Sequence, residues 1–281
     1  MVNLSKFKFA LKRDGIIGFL NILIGKLGLK FRFHTALDKR KLWLVDHLFK
    51  ISNDKVMSGP FKGMKLLKKS SWDKKIYEFN PDLSSKIVGC YEQEVQSKIV
   101  ELQKINKKKY FINFGAGEGY FALGVLYSGF FEQSIAFEIT DESRNIMIEN
   151  SKINKLDNRL SIKYSANSSF LKDILDSGKK LDDIFILSDI EGAEFEIFND
   201  DNLSKLINCN LIIEFHRHPI DEENKKFREK LNKYFKVSLL STSNRSFSDI
   251  SLLKELNDDD RWLIASENRP YLMNWFVCTP K

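Results

Sequence analysis

Phe111-Ile-Asn-Phe-Gly-Ala-Gly-Glu-Gly-Tyr-Phe121 is the stretch on which the fold turns. An apolar run is closed by Gly115, and a helical pattern begins at Tyr120. Gly115, Gly117 and Gly119 between them give G-x-G-x-G at a strand-to-helix junction. Glycines there let the backbone turn tightly and approach a ligand without side chains intervening, and the helix start offers free N–H groups. A dinucleotide loop would carry a small third residue where this chain has Tyr120, and the phosphate-loop pattern G-x-x-x-x-G-K-[ST] is absent. The spacing suits a loop wrapping the methionine part of S-adenosylmethionine; a purely structural turn is the alternative.

Working outward, strands and helices alternate from Lys109 on. Strands are expected at Tyr110 to Phe114, Ser134 to Glu138, Leu160 to Tyr164, Ile184 to Asp189, Cys209 to His216, Lys236 to Leu240 and Tyr271 to Val277. Helices are expected at Tyr120 to Tyr127, Asp141 to Asn154 with Asp141 as N-cap, Ser169 to Asp176 and Asp221 to Tyr234. Such alternation means right-handed crossovers and a Rossmann-like, mostly parallel α/β sheet. Chemistry then belongs beyond the carboxyl ends of the strands. Glu138 ends the second strand, 19 residues past Gly119. A carboxylate there can accept both ribose hydroxyls of an adenosine, as in NAD sites.

A second acidic feature follows strands four and five. Leu187-Ser-Asp-Ile-Glu-Gly-Ala-Glu carries Asp189, Glu191 and Glu194, and Leu211-Ile-Ile-Glu-Phe-His carries Glu214 and His216. Side chains alternate in extended backbone, so Asp189 and Glu191 share a direction. If the two strands are neighbours, Asp189, Glu191, Glu214 and His216 converge. Crowded carboxylates raise one another's pKa, which suits a general base. The same groups could hold a divalent metal or simply hydrogen-bond a substrate. Proton transfer is the preferred role, and no metal ligand is assigned. His218, beside Pro219, reads as a surface residue.

The flanks differ in charge. Residues 1–75 carry 18 Lys and Arg against five Asp, a net +13, and the remainder is net −6. A nucleic-acid binder would spread positive charge over its working face, so an anionic membrane surface, met through residues 1–30, or an anionic substrate carrier is the better partner. Ile16 to Leu29 is apolar but broken by Asn21 and Lys26, short of the roughly 20 residues that span a bilayer. It is expected as a helix packed on the protein or lying in a membrane interface. No small-x-small cleavage site follows it. Phe61 to Leu67 is a candidate hairpin strand, and Ser84 to Lys104 a helix on the spacing of Ile87, Tyr91, Val95, Ile99 and Leu102. Cys90, Cys209 and Cys278 form no CxxC pair, which argues against a zinc ribbon and fits a reducing compartment. Glu267-Asn-Arg-Pro and Trp275 either line an acceptor pocket or pack.

Together, Phe114-Gly-Ala-Gly-Glu-Gly-Tyr-Phe, Ala136-Phe-Glu, Asn150-Ser-Lys-Ile-Asn, Asp189-Ile-Glu-Gly-Ala-Glu and Ile213-Glu-Phe-His resemble the FkbM-like methyltransferases over about Tyr91 to His216. The resemblance implies a class I S-adenosylmethionine-dependent enzyme with a seven-stranded sheet. Activity would usually be O-methylation of sugars, polyketides or other secondary metabolites. It implies cofactor contacts from Asn113, Gly115, Ala116, Gly117, Glu138, Asn167 and Asp189, and places Asp189 and Glu191 by the transferred methyl group. Many members carry Asp where this chain has Asn113, which weakens contact with the cofactor's ammonium. Residues 1–80 are then a basic, mainly helical extension and 81–281 the catalytic domain. The expected function is O-methylation of a sugar hydroxyl on a glycan, lipid-linked saccharide or secondary metabolite, in the cytoplasm or at its membrane face. N-methylation of a peptide side chain or small amine is the alternative, and an NAD-dependent oxidoreductase a further one. The net acidic catalytic part and the missing Asn/Asp-Pro-Pro-aromatic motif argue against nucleic acid as acceptor.

Overall fold

The computed structural model describes residues 4–28, 33–71, 82–190, 192–215, 222–245, 250–267, 269 and 272–281. α1 (Leu4–Lys26) is two helices joined at Gly15, whose φ of 60° and ψ of −147° lie outside any helix. α2 (Ala36–Ser52) starts at Thr35, whose hydroxyl accepts the Asp38 N–H while the Asp38 carboxylate accepts the Thr35 N–H. This reciprocal cap satisfies donors that the first turn leaves over. Of residues 61–67, expected as a hairpin strand, 61–63 form a turn, and the part that pairs is short: Lys65 makes an antiparallel bridge with Lys55, flanked by backbone bonds from Val56 to Met64, Gly63 to Val56 and Leu66 to Asp54.

The helix expected over Ser84 to Lys104 is two: α3 (Leu83–Val88) and α4 (Gln93–Ile105). Gly89, at φ 93°, ends α3 so close to residue 58 that a Cβ would lie 2.2 Å from the Ser58 carbonyl oxygen. Glu92, in the left-handed region at φ 43°, opens α4.

From there the expected alternation holds. β1 (Tyr110–Phe114), α5 (Tyr120–Tyr127), β2 (Gln133–Phe137), α6 (Asp141–Ile153), β3 (Leu160–Lys163), α7 (Phe170–Asp176), β4 (Ile184–Ser188), α8 (Glu194–Ile197), α9 (Asp200–Lys205), β5 (Asn210–Phe215), α10 (Glu222–Tyr234), β6 (Lys236–Ser241), α11 (Asp258–Ala265) and β7 (Asn274–Thr279) follow in turn. The N-cap of α6 is Thr140 rather than Asp141. The fold is α/β, a Rossmann-like seven-stranded sheet in the order β3-β2-β1-β4-β5-β7-β6. β1 to β5 are mutually parallel, and β7 runs antiparallel between β5 and β6. The order reverses where β1 meets β4, the point at which such sheets open a crevice.

Alternation along the strands sorts the core into two layers. Phe111, Phe185, Leu187, Ile212, Trp275 and Val277 pack with buried side chains of α2 to α5 and α11. Ile112, Phe114, Ile186, Leu211 and Ile213 pack with α7 to α10 on the other face. Leu44, Val45, Leu48 and Phe49 of α2 belong to the first layer, continuous with Phe61 and the residues of α5. Asn113, Asp189, Glu214 and Trp275 have the parity of that first layer, so the site chemistry lies on the side covered by α3, α4 and α11.

Candidate functional site

A cavity of about 830 Å³ opens at the carboxyl ends of β1, β2 and β4. That volume suits a small molecule of nucleoside size together with a second reactant. One half is built by the glycine loop. The Gly115 and Ala116 N–H groups donate to the Phe137 carbonyl at 2.9 and 3.0 Å, tying the loop to the end of β2. Gly115, at φ 70°, passes so near β4 that a Cβ would sit 1.7 Å from the Asp189 carbonyl oxygen, so only glycine fits. Glu138 is buried beside the loop, and its carboxylate accepts the Gly117 N–H at 2.9 Å and the Thr140 N–H at 2.8 Å. Arg144 donates to the Glu138 carbonyl at 2.6 Å. Asn113, Gly115, Ala116, Gly117, Glu138 and Asp189 all line the cavity. Asn167 does not; its amide oxygen accepts from the Ser169 N–H and hydroxyl at the approach to α7. Glu191 and His216 lie outside the described residues.

The other half is acidic. Glu92, Asp189 and Glu214 each place an oxygen within 4.8 Å of the other two. The expected convergence of Asp189 with Glu214 follows from β4 pairing with β5. Glu214, fully buried, lies just behind the lining rather than on it. The Arg269 guanidinium reaches three carboxylates. Its Nη1 donates to Glu214 Oε1 at 2.8 Å, its Nε to Glu267 Oε2 at 2.8 Å, and its Nη2 pairs with Glu92. Glu267 in turn accepts the Glu92 N–H at 2.7 Å and pairs with Arg245. The Glu267 and Trp275 flank, open in sequence to packing or lining, lines the cavity with Arg269. Glu194 instead turns inward and accepts the Ile190 and Gly192 N–H groups.

Burial without enough positive charge sets the protonation of this cluster. Burial pushes the Glu92 carboxyl up to about 7, against the pull of Arg269 and with the help of Glu267 and Asp189. Burial also raises Glu214 well above the carboxylate range, reinforced by the charges of Asp189 and Glu92. Asp82, at the rim, rises to about 6, again through burial. Lys86, within reach of the charges of Asp82 and Glu92, pairs with Glu118 at 3.3 Å and stands 4.8 Å from the Tyr91 ring. Trp275, fully buried, forms one wall, and among the described residues its indole N–H has no hydrogen-bond partner. Three acids spaced like Glu92, Asp189 and Glu214 could bridge a divalent cation, but two of them already share the Arg269 guanidinium. What the set can do directly is accept, hold and pass a proton near neutrality.

Sequence reasoning missed Glu92 and the Lys86–Glu118 pair; Arg269 stood within the Glu267-Asn-Arg-Pro stretch read as lining or packing, without its carboxylate partners. The interrupting Gly89 is the signal that could have exposed Glu92. The buried thiols Cys90, Cys209 and Cys278 are unpaired, with Cys90 and Cys209 pushed up by burial to about 12.

No family model matches the chain, and no curated protein matches it in sequence. Solved structures do resemble it. One is a ribosomal protein L11 methylase from Lactobacillus delbrueckii subsp. bulgaricus, at 14% identity, covering 67% of this chain and 79% of its own, with a TM-score of 0.41. Another is a precorrin-6y C5,15-methyltransferase from Geobacter metallireducens, at 11% identity and 67% and 89% coverage, TM-score 0.41. A third is titled precorrin 8w decarboxylase, from Methanobacterium thermoautotrophicum, at 15% identity and 67% and 90% coverage, TM-score 0.41.

Proposed function

We propose that the protein is an S-adenosylmethionine-dependent methyltransferase that O-methylates a sugar hydroxyl on a glycan, lipid-linked saccharide or secondary metabolite. The observation that carries this reading is one cavity with two unlike halves. Glu138 and the glycine loop form a nucleoside-shaped end, and a proton-accepting acidic cluster faces it. The bound cofactor would supply an electrophilic methyl group for in-line displacement. Gly115, Ala116 and Gly117 would lie against it, Glu138 would accept its ribose hydroxyls, and Ile139, Tyr164 and Ala166 would flank its base. Asn113 would meet the amino-acid end through its amide, with no charge of its own.

For the acceptor, Glu92 and Asp189 stand on the lining where a hydroxyl would arrive, and Glu214 stands behind them. Glu92 is the favoured base. Its carboxyl titrates near neutrality, and Arg269 fixes its orientation. The Tyr91 ring, half-buried on the lining, suits the C–H face of a pyranose, with the buried Trp275 packed beneath that side of the cavity. Carboxylates beside aromatic rings fit a polyhydroxylated acceptor. Among the described residues the two cations on the lining, Lys86 and Arg269, are already held by acids, which does not favour an anionic acceptor.

Calorimetry with S-adenosylmethionine, S-adenosylhomocysteine and NAD in parallel tests the cofactor. Binding of the first two and not the third is expected, and binding of NAD alone overturns the reading. Transfer of labelled methyl to a panel of glycosides, amines and peptides tests the acceptor. Label appearing only on amines would replace O-methylation by N-methylation.

A further inference from the structure

We propose that the outward face of the second half of α1 docks the protein onto an anionic lipid surface. Ile16, Leu20, Leu23 and Leu27 recur at spacings of four, three and four residues, which aligns them in one stripe along a helix. Ile16 and Leu27, at the two ends, are 72% and 74% exposed, and Leu20 and Leu23 between them 38% each. Helical bonding continues through Leu27, whose N–H donates to the Leu23 carbonyl at 3.0 Å.

The opposite side is turned inward. Ile17, Asn21, Ile22 and Ile24 are half-buried. The Asn21 amide brackets residue 33, donating to the Phe33 carbonyl at 2.9 Å and accepting the Phe33 N–H at 2.8 Å. The helix is thus pinned by one side with an apolar stripe left facing water. A surface helix normally shows polar residues there, and contiguous exposed apolar area marks an interaction site.

Charge selects the occupant. Residues 1–75 are net +13, and Lys12 is exposed just before the stripe. A second copy would bring an equally basic surface against the first and be repelled. An acidic lipid headgroup layer instead complements the lysines while its acyl boundary takes up the leucines. Among the described residues no helix is long and apolar enough to cross a membrane, so the segment would lie in the interface. The inference is independent of the methyl-transfer reading, because no stripe residue lines the cavity.

The test is sedimentation of the full chain with vesicles of phosphatidylcholine alone and of phosphatidylcholine with about a third phosphatidylglycerol. Binding to the acidic vesicles is expected, at least about tenfold tighter than to the neutral ones and weakened by salt. Leu20→Asp with Leu23→Asp, and separately Ile16→Ser with Leu27→Ser, should each cut it by about tenfold or more. Lys12→Gln should cost about fivefold. Melting temperature and S-adenosylhomocysteine binding should be unchanged in all three, since the positions are exposed and remote from the cavity. Equal binding to both vesicle types, or undiminished binding of both double variants, overturns the proposal. So does a dimer, formed without lipid, that these variants dissociate.

Discussion

Glu138 does two jobs with one carboxylate: it holds the Gly117 and Thr140 N–H groups and lines the cavity. Hydrogen bonds to a charged group are worth about 1.5–3 kcal/mol each. Glu138→Ala should therefore weaken S-adenosylhomocysteine binding by roughly 100-fold in calorimetry, and a change below about threefold would remove Glu138 from the cofactor site. This residue was legible because a strand end is a local feature, set by the apolar run before it and the glycines upstream. Asp189 and Glu214 were legible for the same reason, though their meeting required β4 and β5 to be neighbours. Glu92 was not, and of Arg269 only its place in a stretch read as lining or packing was legible, not its ion pairs. The apolar spacing of Ile87, Tyr91, Val95 and Ile99 continues across the break at Gly89, so periodicity hid the turn that presents Glu92. Arg269 follows no repeating pattern, and its role depends on Glu214 being buried 55 residues earlier in the chain.

At the scale of elements, the α3–α4 break is a fixed piece of the site. Gly89 sits at φ 93° with a carbonyl 2.2 Å from where a Cβ would be, whereas Gly129 sits at φ 71° in open space. Gly129→Ala incurs backbone strain alone, about 1 kcal/mol. Gly89→Ala adds a clash with backbone and should destabilise by about 3 kcal/mol or more in denaturant unfolding. Equal costs at the two positions would show that the break yields easily. The strands after Lys109, with α5, α6, α7 and α10, were readable from alternation to within a few residues, whereas α8 and α9, both short, were not expected. The place of β7 was not. Parity says which face a side chain takes, not which strand lies alongside, and the antiparallel insertion of β7 depends on pairing across the sheet.

For the whole molecule, the buried acids tie stability to pH. The Glu92 carboxyl rises from 4.5 to about 7 on folding. The folded chain therefore keeps a proton that the unfolded chain has lost between those values. Stability from this group is fully present below about 4.5 and is lost as pH climbs through about 7. Asp82, raised to about 6, and Glu214 act in the same direction. The melting temperature of the wild type, relative to Glu92→Gln, should fall as pH rises from 4.5 to 7; a flat or rising difference would contradict the raised pKa. Arg269 opposes this repulsion. Removing one partner of a buried ionic cluster costs about 3–5 kcal/mol, so Arg269→Met should destabilise by about that much at pH 8. At pH 5, where Glu92 carries a proton, the loss should be distinctly smaller in the same melts.

The strand that comes last along the chain sits inside the sheet, between β5 and β6. During synthesis, a ribosome that has released residues only as far as β6 has already delivered β1 to β4, Glu138 and the glycine loop. Trp275 and the seat for β6 are still missing. The half of the cavity built by the glycine loop can thus form early, while the Trp275 wall waits for β7 to be translated, and until then β5 and β6 offer open edges to chaperones or to one another.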